Sequence, residues 1–117
     1  MTCRFCLSNN LLTGEIVAEN QRAFAIPAST ATENFLIIPK GHYKTLEDLP
    51  DDWWADLKQL LVQLAVPRDN YNLSINIGEQ AGQKVAHLHF RIIPRQAETP
   101  ASAKGLAALI AEVNGAD

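Results

Sequence analysis

Apolar and polar residues alternate in "EIVAENQRAFAIP" around a polar centre at Asn20 and Gln21, predicting a β-hairpin from about Glu15 to Pro27. "NFLIIPK" supplies a third strand. From Leu49 to Val66, Trp53, Leu57, Leu60, Leu61 and Leu64 recur at helical spacing, with Pro50 and Asp51 suited to a first turn and Pro67 to the stop. In "YNLSINIG", Tyr71, Leu73, Ile75 and Ile77 share one strand face, and Asn72, Ser74 and Asn76 share the other. "AHLHFRII" then turns Ala86, Leu88, Phe90 and Ile92 toward the core and leaves His87, His89 and Arg91 on the opposite face. Strands, one long helix and more strands, joined by short connections, predict an α+β domain on an antiparallel sheet.

Composition narrows the picture. The chain has 117 residues, 47% hydrophobic and 20% charged, which fits one domain over 1–117, with a tail from about residue 96 that is rich in Ala and loosely packed. A formal charge of -3 offers no field for a polyanion, so nucleic acid is not an expected partner. The start, "MTCRFCLSNN", has no apolar signal-like run, and no stretch is long enough to span a bilayer; a cytoplasmic protein without membrane contact is expected. In that compartment Cys3 and Cys6 suit a metal or redox role better than a disulfide.

Cys3-Arg4-Phe5-Cys6 has the spacing with which paired thiolates clamp zinc, and a tetrahedral site needs two more N or S ligands. Only His42, His87 and His89 are available, so such a site takes two and leaves one. Two plain readings compete: small buried cysteines, or a redox pair, although redox pairs open a helix after a strand and this pair precedes any strand. The row His87, His89, Arg91 concentrates polar groups where the other face is apolar. Imidazole is a nucleophile or proton carrier and guanidinium a fork of donors, which suits phosphate chemistry. Alternatively His87 and His89 chelate one zinc, with a bound water as nucleophile. Spacing leaves both open.

"GQKVAHLHFRIIPR" resembles the signature of the histidine triad (HIT) superfamily of nucleotide hydrolases and transferases, in which His-x-His-x-His follows Gly-Gln and is often trailed by Pro-Arg. "CRFC", "NFLIIPKGH" and "SINIGEQAGQ" extend the resemblance over most of Thr2 to Arg95, toward bacterial, zinc-carrying members. It implies a sheet of about five antiparallel strands with one main helix and a short C-terminal helix. It also implies a homodimer built through the helix that carries Trp53 and Trp54. By position, His89 is the nucleophile that forms a nucleotidyl-histidine intermediate, Gln83 and Arg91 complete the catalytic set, and Asn76, Gly82, Gln83, Lys84, His89 and Arg91 contact the phosphate or nucleotide. Cys3, Cys6, His42 and His87 hold a structural zinc. The implied activity is hydrolysis or transfer on a nucleotide phosphoanhydride, ester or phosphoramidate, diadenosine polyphosphates among them.

Three positions depart from the pattern. Arg91 stands in place of the third histidine, Lys84 follows Gly-Gln where Ser or Thr is usual, and Ile26 takes the place of an acidic residue that holds ribose hydroxyls. The phosphate end gains positive charge and the ribose end loses an anchor. A weakly active or inactive module that binds a phosphorylated ligand is the alternative, distinguished by whether His89 forms a covalent adduct.

Overall fold

The computed structural model describes residues 3–28 and 34–95; the expected C-terminal helix and tail lie outside them. The first turn is set by one side chain. Asn20 Oδ1 accepts from the backbone N–H of Arg22 and Ala23 at 3.3 and 3.0 Å, turning the chain between β1 (Ala18–Glu19) and β2 (Ala23–Pro27). With β3 (Phe35–Pro39), β4 (Tyr71–Ser74) and β5 (Phe90–Pro94), these form one antiparallel sheet in the order β1-β2-β3-β5-β4. The expected α+β architecture is present.

Helix α1 (Trp54–Gln63) follows a 3-10 turn over Asp51–Trp53 and covers one sheet face. Trp53, Leu57 and Leu60 pack there with Ala23, Ala25, Ile37, Phe90 and Ile92. The small side chains of β2 let Trp53 approach, stacking on Phe90 at 5.3 Å and donating its indole N–H to the Arg22 carbonyl at 3.1 Å. Arg22 in turn pairs with Asp52 and Asp56, tying the hairpin to the helix.

The helix stops before Pro67, by a left-handed residue. Ala65 has φ +55°, its N–H reaches the Val62 carbonyl at 3.0 Å, and the Val66 N–H reaches Leu61 at 3.2 Å. That is the Schellman arrangement, which ordinarily uses glycine. A left-handed Cβ costs about 1–2 kcal/mol, and glycine's extra unfolded-state entropy returns roughly 0.4–1. Ala65→Gly is therefore expected to stabilise the protein by about 0.5–1 kcal/mol in chemical denaturation.

The sheet's second face is covered as well: Phe24, Ile26, Leu36 and Ile38 lie under Phe5, from the segment between the two cysteines. Two expectations need correction. Strand β5 begins only at Phe90, because the His87 N–H bonds back to Val85 and the Leu88 N–H bonds to Tyr43, outside the ladder; Ala86 is exposed, not core. Finally, β4 ends at Ser74, and Leu73, on this edge strand, is exposed although Tyr71, Ile75 and Ile77 pack against the core.

Candidate metal centre and active-site cleft

Three chain segments converge beside the end of β3. The knuckle of Cys3 and Cys6 is held by a short 3-10 turn, in which the Asn9 N–H bonds the Cys6 carbonyl and the Asn9 amide donates to Cys3. His42 arrives three residues after β3, and His87 three residues before β5. One donor atom from each of Cys3, Cys6, His42 and His87 lies within 4.8 Å of every other. Nδ1 of His87 is 3.5 Å from both sulfurs and 3.2 Å from Nδ1 of His42, which is 3.2 Å from Cys6 Sγ.

A zinc tetrahedron with Zn–S of about 2.3 Å and Zn–N of about 2.0–2.1 Å has edges of roughly 3.3–3.6 Å between N and S or N and N. The His87–Cys3, His87–Cys6, His87–His42 and His42–Cys6 distances fall at or just below those edges. His87 is fully buried, and its Nε2–H donates to the Pro39 carbonyl at 2.8 Å, leaving the Nδ1 lone pair toward the cluster. Burial also holds this imidazole below the usual histidine range, so it stays neutral, as a ligand must. Burial, then the hydrogen bond and charge of Cys3, push the Cys6 thiol up. A dication held by these four donors would reverse that preference and favour both thiolates.

On the Phe5 side of the sheet an open cleft of about 860 Å³, mouth included, runs across β2, β3 and β5 to β4. Its lining includes His89 and Arg91, with Ser74, Asn76, Gly82 and Lys84 at one side and Arg4, Phe5, Gly14, Ile26 and Leu36 at the other. Nδ1–H of His89 donates to the His87 carbonyl at 2.8 Å, so the lone pair of the neutral ring sits on Nε2. Phe5 meets the ring edge-on, 5.1 Å between centroids.

Arg91 is only 7% exposed, an unusual place for a guanidinium. Its Nη1 donates to Oδ1 of Asn34 at 2.8 Å, and Asn34 is itself 3% exposed. Strand register explains the meeting: Leu36 lies opposite Arg91, and position 34 is two residues back on the same face. Asn34 is the residue that reading the sequence passed over. The signal was available, since an arginine on a strand flanked by apolar strands must find a polar partner.

The remaining candidates divide. Asn76 lines the cleft, its amide 3.4 Å from the Gly82 carbonyl, and Lys84 and Gly82 line it too. Gln83 is not part of the lining: its Oε1 accepts from the Gly78 N–H at 2.8 Å and closes the turn. Its Nε2 is buried with no hydrogen-bond partner among the described residues. Ile26 is buried on the cleft wall, so the apolar replacement does face the cleft.

The HIT domain matches residues 12–98. An uncharacterized HIT-like protein of Methanocaldococcus jannaschii is 33% identical over 80% of this chain and 78% of its own length. Adenosine 5'-monophosphoramidase hnt1 of Schizosaccharomyces pombe is 37% identical over 84% of this chain and 77% of its own. The crystal structure of a zinc-bound histidine triad family protein from Mycobacterium smegmatis superposes with a TM-score of 0.68 at 26% identity, covering 100% of this chain and 99% of that one. Sheet order, the cysteine–histidine cluster and these likenesses agree, and the chain belongs to the HIT-domain family.

Proposed function

We propose that this protein is a nucleotide hydrolase or nucleotidyl transferase that works through a covalent intermediate on His89. The observation that carries the reading is the pinned ring of His89, with its Nε2 lone pair in the same cleft as a buried guanidinium. The phosphoramidase activity named for the S. pombe relative supports a nucleotide substrate.

In this reading His89 Nε2 attacks the α-phosphorus of an anhydride, ester or amidate, the bond to the leaving group breaks, and water or another acceptor then displaces the imidazole. Arg91 offsets charge on the phosphoryl oxygens, Lys84 and Asn76 contact the phosphate from the β4 side, and the Gly82-Gln83 turn shapes that end. Cys3, Cys6, His42 and His87 hold zinc. The ion supplies structure, fastening the knuckle that carries Phe5 across the sheet.

We place the protein in the cytoplasm, as one domain, on the strength of its free thiols in a ligand arrangement. Trp54, Val62 and Leu73, exposed along the helix and the β4 edge, support a homodimer through that side.

Intact-mass analysis after mixing with adenosine 5'-phosphoramidate and with adenosine 5'-anhydrides tests the intermediate: a nucleoside monophosphate adduct on His89 is expected. Absence of any adduct or turnover would leave a binding module only. Arg91→Gln is expected to slow adduct formation roughly 10- to 1000-fold, with unchanged zinc content. Unchanged single-turnover rates would remove Arg91 from the mechanism.

A further inference from the structure

Among the described cations that line the cleft, Arg4 alone has no task in the reading above. It stands between Cys3 and Cys6, both donors of the four-residue cluster, and the Cys3 carbonyl accepts from the Asn9 amide at 2.9 Å. The backbone on which Arg4 is mounted is therefore fixed. Its side chain is exposed, and the guanidinium carbon lies 5.0 Å from the centroid of the Phe5 ring, a cation–π contact with a residue only 2% exposed. Among the described residues this guanidinium makes no hydrogen bond and no ion pair, so its N–H rim is open to a ligand.

The order of the sheet gives the cleft two unlike ends. Ser74, Asn76 and Lys84 stand on the β4 side, whereas Ile26 of β2 and Leu36 of β3 join Phe5 and Gly14 in an apolar wall on the other. On that apolar side only Arg4 and Thr13, among the described lining residues, carry polar side-chain groups. A nucleotide is divided in the same way, into a charged phosphate and a flat base whose faces are apolar and whose edge is polar. With phosphorus at His89 and its oxygens toward Arg91 and Lys84, the base falls on the apolar wall and its edge meets Arg4. This orientation rests on the proposed nucleotide chemistry and adds the base to it.

Arginine only donates, through parallel N–H groups in a planar fork. Guanine and hypoxanthine present two acceptors, O6 and N7, at the spacing of that fork. Adenine keeps N7 but carries an amino group in place of O6, and this donor faces the guanidinium donors without a bond. We propose that Arg4 is a specificity-determining residue that selects guanosine and inosine nucleotides over adenosine nucleotides, by a two-bond contact to O6 and N7. The stack on Phe5 sets the plane of the fork, and the bracketing cysteines set its place.

The test measures binding of GMP, IMP and AMP to the zinc-loaded full chain by calorimetry. Alongside it runs adduct formation from the guanosine, inosine and adenosine 5'-(4-nitrophenyl) phosphates, which share one leaving group. Because Arg4 is exposed, the lower part of the range for such contacts applies, and GMP and IMP are expected to bind about 5- to 20-fold tighter than AMP. The 7-deaza analogue of GMP, which lacks the N7 acceptor, is expected to lose most of that advantage. Arg4→Met keeps the stem and removes the donors, and is expected to bring the GMP to AMP ratio close to one. Arg4→Gln goes further: an amide pairs with adenine through N6 and N7, so the ratio is expected to move toward AMP. Zinc content and denaturation midpoint of each variant are measured beside these ratios.

Equal binding of GMP and AMP by wild type would overturn the proposal, as would IMP behaving like AMP, which would assign recognition to the 2-amino group instead. Arg4→Met and Arg4→Gln weakening all three nucleotides by one common factor would overturn it too, because Arg4 would then be a contact to phosphate. Failure of the covalent reading looks different: no adduct forms from any ester, while the three binding constants still report on Arg4.

Discussion

His89→Ala is expected to lose turnover by roughly 10³- to 10⁶-fold, the range seen when a covalent nucleophile is deleted, while keeping its metal and its fold. The residue is half-buried, and its Nδ1–H is fixed on the His87 carbonyl. Removing the ring deletes the lone pair on Nε2 but leaves the four-donor cluster intact, because His89 is not one of its members. His87→Ala is expected to behave in the opposite order. It removes a fully buried donor whose two nitrogens face the cluster and the Pro39 carbonyl, so metal and stability go first. Zinc per chain by elemental analysis, read beside single-turnover rate, separates the two. Equal loss of zinc in both variants would favour the chelating His-x-His arrangement and sink the assignment of His89 as nucleophile.

Much of the fold was legible because its elements follow simple periods. Alternation located β2, the short apolar run "NFLIIPK" located β3, and the 3.6-residue recurrence of Trp53, Leu57 and Leu60 located the buried stripe of α1. Element ends were less legible, since they depend on hydrogen bonds between distant segments. The Leu88 N–H reaches Tyr43, a contact 45 residues apart in the chain, and so the strand begins two residues later. Ala65 ends the helix in a conformation that its side chain gives no reason to expect.

At the site, the four donors Cys3, Cys6, His42 and His87 do meet, as their resemblance to the zinc-carrying members implies. Two features stayed hidden. Phe5 was read past, as the spacer between two cysteines, and turns out to cover Phe24, Ile26, Leu36 and Ile38 while touching both histidines of the row. Asn34 looked like the flank of an apolar strand, and its meaning appears only when the β3–β5 register sets it near Arg91. Both depend on contacts between segments far apart in the chain, which no local pattern encodes.

Phe5 also sets the size of the metal effect. Protein purified without chelator is expected to carry about one zinc per chain, held by two thiolates and two imidazoles. Without the ion, two thiols and two histidines remain crowded within 4.8 Å, and the chain before β1 loses its fastening. Phe5 is 2% exposed, so freeing the knuckle uncovers it together with the β2 and β3 residues beneath. Burial of a phenylalanine side chain contributes about 1.5–3 kcal/mol, and the metal bonds add to that. Cys3→Ala is therefore expected to lower metal content and to cost on the order of several kcal/mol in chemical denaturation, and chelation of wild type should approach the same state. Phe5→Ala separates the two contributions: it is expected to cost about 3–5 kcal/mol while retaining zinc, because the cysteines stay in place. The cleft adds a second readout. Phe5 and Arg4 line it, so loss of the ion is expected to raise KM as well as lower stability, even though no metal donor except the buried His87 lies within two residues of His89. A wild-type protein that is metal-free as purified, fully stable, and indifferent to added zinc would overturn the assignment of all four ligands at once.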